Sequence, residues 1–473
     1  MTRVLSVASE CAPLIKTGGL ADVAGALPRA LAARDVEMRT LLPGYPAVMK
    51  AVGSARVVHA WDDLYGGPAR LIEAEAAGLR LYVLEAAHLY DRSGGIYLDA
   101  DGVDWTDNAE RFAALCRAGA EICCGATDWQ PDIAHGHDWQ AGLLPYFLKK
   151  SGTGVPSVMT IHNIAFAGMV EPSQIDRLGL DPADFHVEGY EFWGRVSFLK
   201  AGLVWCDRIT TVSPRYAREL TTPAFGMGFE GLISARSGDL TGILNGIDTQ
   251  TWNPATDPAI TRFRSFRGKT AAVRALRDEM GLPASNGPLA VVISRLSAQK
   301  GLDLLIEALP DYLAAGGQLA LLGSGDRALE SAWREAAERH DGVAVRIGYD
   351  EDLSHRMMAG GEAVLVPSRF EPCGLTQLYG LRYGAIPVVA RVGGLADTVI
   401  DANDAALRAG VATGIVHGPD SVEALSLALT RMVELHATPE TWSRMARTAM
   451  RHPVGWDVSA GQYADLYRDL VPS

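Results

Sequence analysis

Apolar residues fall in short unbroken runs, separated by glycine-bearing loops and by stretches with helical spacing, and this alternation begins at once. Residues 4–9 read as a strand; after Lys16-Thr17-Gly18-Gly19-Leu20, the positions Leu20, Val23, Ala24, Leu27 and Leu31 recur with the period of an amphipathic helix; residues 38–42 return to strand. That is a βαβ unit. Runs at 79–84, 133–135, 157–162 and 208–212, with a helical pattern at 108–124, extend it into a predicted parallel, helix-covered sheet. A second series follows at 289–294, 318–322, 343–347, 363–366 and 386–390, each run leading into a loop and an amphipathic helix. No strict period relates the two series, so one architecture is used twice and a solenoid is excluded.

Between them, residues 238–258 carry turn chemistry, including Asn245-Gly246-Ile247-Asp248 and Trp252-Asn253-Pro254. The predicted organisation is an α/β chain of two parallel-sheet domains, residues 1–240 and 256–455, joined by a linker at 241–255. The tail at 442–470 is helical with Pro453 and Gly455 interrupting it, and the segment 456–473 is predicted to return to the first domain.

A length of 473 residues with 48% hydrophobic and 21% charged residues supports two ordinary cores and excludes a disordered chain. Acidic residues outnumber basic ones by 56 to 43, a net charge of -13, which argues against nucleic-acid or polybasic membrane partners and requires any anion site to be locally basic. The six cysteines form no CxxC pair, the adjacent Cys123-Cys124 lies in an apolar helical stretch, and the N-terminus enters a strand without a leader pattern; a reducing cytoplasm is expected. Apolar runs stop short of the roughly 20 residues that span a bilayer.

The chemistry-bearing residues cluster after the predicted strands, where parallel sheets bind ligands. Pro367-Ser368-Arg369-Phe370-Glu371-Pro372-Cys373-Gly374-Leu375-Thr376-Gln377 follows the strand 363–366 and opens a helix predicted over 374–383, whose first amides would face an anion. A solvated acid at Glu371 and a simple turn at Gly374 are the alternative. Arg295 and Lys300 precede the helix 302–313 and place two cations at its start, a diphosphate site or a pair of solvated loop charges; the segment lacks the GxxxxGK[ST] pattern of phosphoryl transfer. Lys16 on its glycine turn is a further cation near close-approaching backbone. Gly323-Ser324-Gly325 lacks the third glycine of a dinucleotide fingerprint. In His135-Gly136-His137-Asp138-Trp139 a metal site is the weaker reading, since no further ligand set is evident. Asp138 and His162 emerge at strand ends, His162 as either a structural or a functional histidine. Tyr349 stands after another strand and could stack on a base or pack as a loop aromatic. Cys373 has no apparent base partner and reads as packing.

Taken together, the segments Lys16 to Asp22, His135 to Trp139, Thr160-Ile161-His162-Asn163, Asn245 to Asp248, Arg295 to Gly301 and Pro367 to Gln377 resemble the bacterial glycogen synthases and plant starch synthases, in that family's order and over nearly the whole chain. The resemblance implies a GT-B architecture, two Rossmann-like domains facing across a cleft, and retaining transfer of glucose from ADP-glucose to the 4-hydroxyl at the non-reducing end of an α-1,4-glucan. It implies a catalytic set of Asp138, His162, Glu371, Arg295 and Lys300. The donor-binding set it implies is Lys16, Gly18, Gly19, Asn245, Arg295, Lys300, Tyr349, Glu371, Cys373, Gly374, Leu375 and Thr376, with Arg295 and Lys300 on the diphosphate and Tyr349 on adenine. Neither a metal nor another cofactor is implied.

Three rivals stand beside it. One is a related retaining transferase using UDP-glucose or a small acceptor. Another, a glucan phosphorylase, would need a lysine-bound pyridoxal phosphate, for which no segment is suited. The third is a catalytically silent glucan-binding regulatory protein.

Overall fold

Long Val/Ile/Leu runs buried on both faces pair side by side in parallel, and they do so in two separate units of the chain. The computed structural model describes residues 1–53 and 55–471. One unit takes Met1–Val212, Ala217–Asn245 and Trp456–Ser473; the other takes Ser213–Tyr216 and Gly246–Gly455.

Among the described residues the first unit contains β1 (Thr2–Val7), β2 (Val36–Pro43), β3 (Arg56–Trp61), β4 (Ala69–Ala76), β5 (Leu79–Glu85), β6 (Ile133–His137), β7 (Ser157–Ile161), β8 (Met169–Val170), β9 (Glu191–Phe192), β10 (Arg195–Ser197), β11 (Arg208–Thr211) and β12 (Leu240–Gly242). Nine of them form one sheet in the order β12-β11-β7-β6-β1-β2-β5-β4-β3, and β8, β10 and β9 form a small second one. The sheet is parallel as expected from β12 to β5, but β4 runs antiparallel to both its neighbours, because the two-residue Ala77-Gly78 connection is long enough only for a hairpin. The helix Gly19–Ala32 buries Leu20, Val23, Ala24, Leu27 and Leu31, the stripe its spacing predicts. On that helix packs Asp457–Leu470, whose Ala460, Tyr463, Ala464 and Tyr467 join Val4, Val23, Leu27, Leu31 and Met38 in one core cluster. The helix expected over 108–124 ends at Glu121 and passes into a π turn, Ile122–Ala126; Cys123 is buried, whereas Cys124 is exposed.

The second unit holds β13 (Leu289–Ile293), β14 (Gln318–Gly323), β15 (Val343–Ile347), β16 (Ala363–Val366), β17 (Ile386–Ala390) and β18 (Ile415–His417), all parallel, in the order β15-β14-β13-β16-β17-β18. In each unit the strand order reverses once beside the first strand: between β1 and β6 in the first, between β13 and β16 in the second. Loops leaving such neighbouring strands diverge to opposite sides and open a crevice at their carboxyl ends.

Candidate active site

In the second unit, the loops after β13 and β16 border that crevice and are welded together. Arg369 donates to both carboxylate oxygens of Asp303 (2.8 and 2.7 Å), to Asp420 (2.6 Å) and to the Ala298 carbonyl (2.7 Å). Its amide donates to the Gln299 carbonyl, and Gln299 Nε2 returns a bond to the Phe370 carbonyl. Fork-shaped guanidinium pairing of this kind fixes geometry as well as adding energy.

The weld holds Lys300 against Glu371, Nζ to Oε2 at 2.5 Å, with side chains 17% and 9% exposed. Ser368 Oγ donates to the same Oε2 at 2.9 Å. Glu371 Oε1 makes no hydrogen bond among the described residues, so one oxygen is anchored and the other is available to a ligand. Arg295 is exposed and forms no ion pair among the described residues. Its charge is not committed to the fold.

After Glu371 the chain turns through Gly374, at φ 74°, into the helix Thr376–Tyr383, two residues shorter than the predicted 374–383 because Gly374 is left-handed and Leu375 is the cap position. No side chain caps that helix start, so the amides beginning at Thr376 are left as donors beyond the carboxyl end of β16, an anion-binding arrangement. Gln377 Nε2 ties the loop from inside, donating to the carbonyls of Cys373 and Gly374 and to Thr398 Oγ1. The buried Cys373 thus contributes its carbonyl to the loop's frame. Gly393 and Gly394, which open the helix Gly393–Thr398 after β17, press on it: a Cβ on Gly393, at φ 39°, would stand 1.9 Å from the Glu371 carbonyl oxygen, and one on Gly394 2.4 Å from that of Cys373. Tyr349, just beyond β15, is 78% exposed and hydrogen-bonds Glu351 through its hydroxyl.

In the first unit the corresponding strand ends carry Glu10 after β1, Asp138 after β6 and His162 after β7. Glu10 is buried and accepts from the Thr17 amide (2.5 Å), Thr17 Oγ1 (2.9 Å) and the Gly18 amide (3.1 Å) through one oxygen, and from Tyr97 through the other. Burial raises its pKa, opposed by those donors. The glycine turn is therefore built on a buried acid. Gly18 is extended and caps Gly19–Ala32, with only Glu10 Oε1 near the position of an added Cβ, at 3.8 Å; Lys16 is exposed and pairs with Asp22 at 2.9 Å.

Asp138 sits at φ 55°, and its carboxylate accepts from the amides of His162 (2.6 Å) and Asn163 (3.3 Å). Burial pushes its pKa up to about 7, against those two amide bonds, with the charge of Glu10 adding to the rise. The histidines divide. His135 bonds Tyr467 (2.7 Å) and Thr160 (2.6 Å), a structural role; His137 bridges Ser6 (3.1 Å) and His162 Nε2 (3.0 Å). Burial lowers the pKa of all three, that of His137 to about 3, so the chain of rings is neutral and acts through its N–H groups and lone pairs. Asn245, the last residue of this unit before the chain enters the other, is 7% exposed with its Oδ1 unpartnered among the described residues, an orphan suited to a ligand donor.

The structure thus gathers Arg295, Lys300, Glu371, Cys373, Gly374, Leu375, Thr376 and Tyr349 in one unit, and Lys16, Gly18, Gly19, Asp138, His162 and Asn245 in the other. Sequence reasoning missed Glu10, Gly393 and Gly394, and it gave Ser368 and Gln377 no role of their own within the segment Pro367 to Gln377. Glu10 carried a signal, an acid just past the first strand; the Gly393-Gly394 doublet after β17 carried another.

Residues 3–235 match the family model described as starch synthase catalytic domain, and residues 277–449 match glycosyl transferases group 1. The chain is 58% identical to a glycogen synthase of Paracoccus denitrificans (strain Pd 1222) over 473 residues, covering 100% of both, and 58% identical to one of Jannaschia sp. (strain CCS1) over 469 residues, covering 99% of each. Its structure is similar to the catalytic domain of starch synthase IV from Arabidopsis thaliana bound to ADP and acarbose, with TM-score 0.89, 31% identity and full coverage of both chains. Sucrose-phosphate synthase from Thermosynechococcus elongatus, at 19% identity and TM-score 0.60 over 99% of each chain, shares the fold alone.

Proposed function

The chain belongs to the glycogen synthase family of GT-B glycosyltransferases, and on that premise we propose how its residues divide the transfer of glucose from ADP-glucose to the non-reducing end of an α-1,4-glucan. The Lys300–Glu371 pair, beside an uncapped helix start, is the observation that carries the assignment.

Breaking the bond between the anomeric carbon and the phosphate oxygen leaves an electron pair on a diphosphate and positive charge on the sugar. Arg295, Lys300 and the amides of Gly374, Leu375 and Thr376 stabilise the departing diphosphate, which is where fixed donors gain most as charge develops. Glu371, anchored through Oε2, offers Oε1 to the glucose hydroxyls. Asp138 in its ionised form offsets the oxocarbenium charge, and His162, neutral, holds a hydroxyl or presents its carbonyl. Lys16, the Gly18-Gly19 turn and Asn245 are further donor contacts, and Tyr349 stacks on the base.

Retention follows from front-face attack: the acceptor oxygen bonds the anomeric carbon on the side the phosphate leaves, and its proton passes to the departing phosphate oxygen. No separate base is then needed, and the carboxylate pair of a retaining hydrolase is not required. Six free cysteines fit a cytoplasmic location; among the described residues no helix is long and apolar enough to cross a membrane.

Nucleotide release from ADP-glucose and from UDP-glucose, each with and without glycogen and with excess chelator, tests donor, acceptor and metal dependence together. Release from ADP-glucose that requires glycogen is expected. Glycogen binding without release from either donor would identify a silent binding protein instead.

A further inference from the structure

Strands β9 and β10 meet in a two-residue turn, Trp193-Gly194, across which Phe192 pairs with Arg195. Both turn residues have positive φ, 51° and 76°, the type I′ geometry that favours Asn-Gly or Asp-Gly. A bulky indole there is strained backbone. Nothing is recovered by burial, since Trp193 is 78% exposed.

The plate is nevertheless well backed. Phe192 stacks on the buried Phe229, ring centroids 4.1 Å apart and planes 16° from parallel, and Gly228 lies so close that a Cβ on it would stand 3.0 Å from both Phe192 Cζ and Trp193 Nε1. Met227, also left-handed at φ 49° and 45% exposed, precedes Gly228. Polar groups flank the tip: Arg195 pairs with Glu171 at 3.0 Å, and Glu191 accepts from the Gly194 amide at 2.6 Å.

This hairpin is continuous with the candidate site of the same unit. Ser197 Oγ donates to the Ala167 carbonyl at 2.8 Å and the Phe198 amide to that of Gly168. Gly168 in turn abuts the ring of Trp139, the neighbour of Asp138: a Cβ on it would lie 2.6 Å from that ring.

We propose that Trp193 is a stacking platform for an α-1,4-glucan, an outlying acceptor subsite that holds glucose units away from the chain end being extended. The proposal rests on the glucan-elongating reading above. A pyranose ring presents an apolar C–H face that matches an exposed indole, while its hydroxyls suit the flanking carboxylates and guanidinium. A second protein copy fits less well, because two exposed side chains fall far short of the about 800 Å² per partner of a stable interface. Held at a second point, a polymer delivers its ends at raised local concentration; a trisaccharide gains nothing from it.

Trp193→Asn tests this, since Asn-Gly is the turn's favoured sequence and the variant is expected to melt at or above the wild-type temperature. KM for glycogen is expected to rise about tenfold, retardation in glycogen-containing native gels to fall, and kcat to hold; Trp193→Tyr keeps a plate and recovers most of the affinity. Unchanged KM and retardation in Trp193→Asn would overturn the platform, as would a concentration-dependent change in mass abolished by the substitution with glycogen KM untouched. ADP release by the wild-type protein at saturating glycogen checks the underlying reading separately: its absence means the elongating function fails, whereas its presence with an indifferent Trp193→Asn means the platform alone does.

Discussion

Lys300 Nζ and Glu371 Oε2 stand 2.5 Å apart although 71 residues separate them in sequence, and the contact joins the two loops that leave either side of the strand-order reversal in the second unit. Removing Lys300 strands a buried carboxylate, so Lys300→Ala is expected to lose about 3–5 kcal/mol of stability as well as activity. Arg295, exposed and unpaired among the described residues, separates the two effects. Arg295→Ala is expected to melt like the wild type and to lose about a hundredfold in kcat for ADP release. Unaltered turnover in that variant would remove Arg295 from the diphosphate site.

Asp138 sets a pH dependence whose sign follows from burial. Its folded pKa, about 7, lies above the ordinary carboxylate value, so the neutral form is the one the fold favours. Its contribution to stability is complete below the ordinary value and is lost as pH rises through about 7. Asp138→Asn, a residue that tolerates the φ of 55°, should therefore narrow the difference in melting temperature between pH 6 and pH 8. Activity runs the other way, because the ionised form offsets the sugar's charge: ADP release should climb with pH across this range in the wild type. The variant should be flat and about a hundredfold slower. A rising limb that survives the substitution belongs to another group.

Glu10 positions the glycine turn without being assigned to substrate. Glu10→Gln replaces an acceptor-only group that serves two amides and a hydroxyl through one oxygen. Bonds to a charged group contribute about 1.5–3 kcal/mol, so KM for ADP-glucose is expected to rise about tenfold or more. Steady-state kinetics with a Lys16→Ala comparison reads this; additive effects of the two substitutions would show that the acid does not act through the turn.

Gly393→Ala is expected to shift the Glu371–Cys373 loop, since the new methyl would overlap the Glu371 carbonyl. A loss of about 1–3 kcal/mol in denaturant unfolding, together with a severe fall in ADP release, is the expected outcome. A fully active Gly393→Ala protein would show that the loop yields at no cost.

Much of the fold could be read from the apolar runs, because buried parallel strands need them; β13 to β17 appear where Leu289, Gln318, Val343, Ala363 and Ile386 begin them. The strands β8, β9 and β10 are too short for a period to show, and Trp193-Gly194 carries no turn signal because its geometry runs against residue preference. Motif residues such as Lys300 and Glu371 stood out as charges after strands. Their pairing did not, nor did the reach of Arg369 to Asp303 and Asp420, since these depend on which strands become neighbours. Glu10 announces itself in the sequence only as an acid past the first strand; its bonds to Thr17 and Gly18 depend on the loop closing back onto it.

The helix Asp457–Leu470 has a bearing on biosynthesis. Tyr467 reaches His135, and Tyr463 and Ala464 complete the layer over Val4 and Leu27, so the N-terminal unit lacks part of its interior until residues 457–470 have emerged. During vectorial synthesis the intervening residues 246–455 leave the ribosome first as a continuous stretch with its own core. The unit begun earliest therefore still waits for part of its core after the other has emerged, and a chain cut after residue 455 would keep the residues of the second unit while leaving an apolar face of the first open to chaperones.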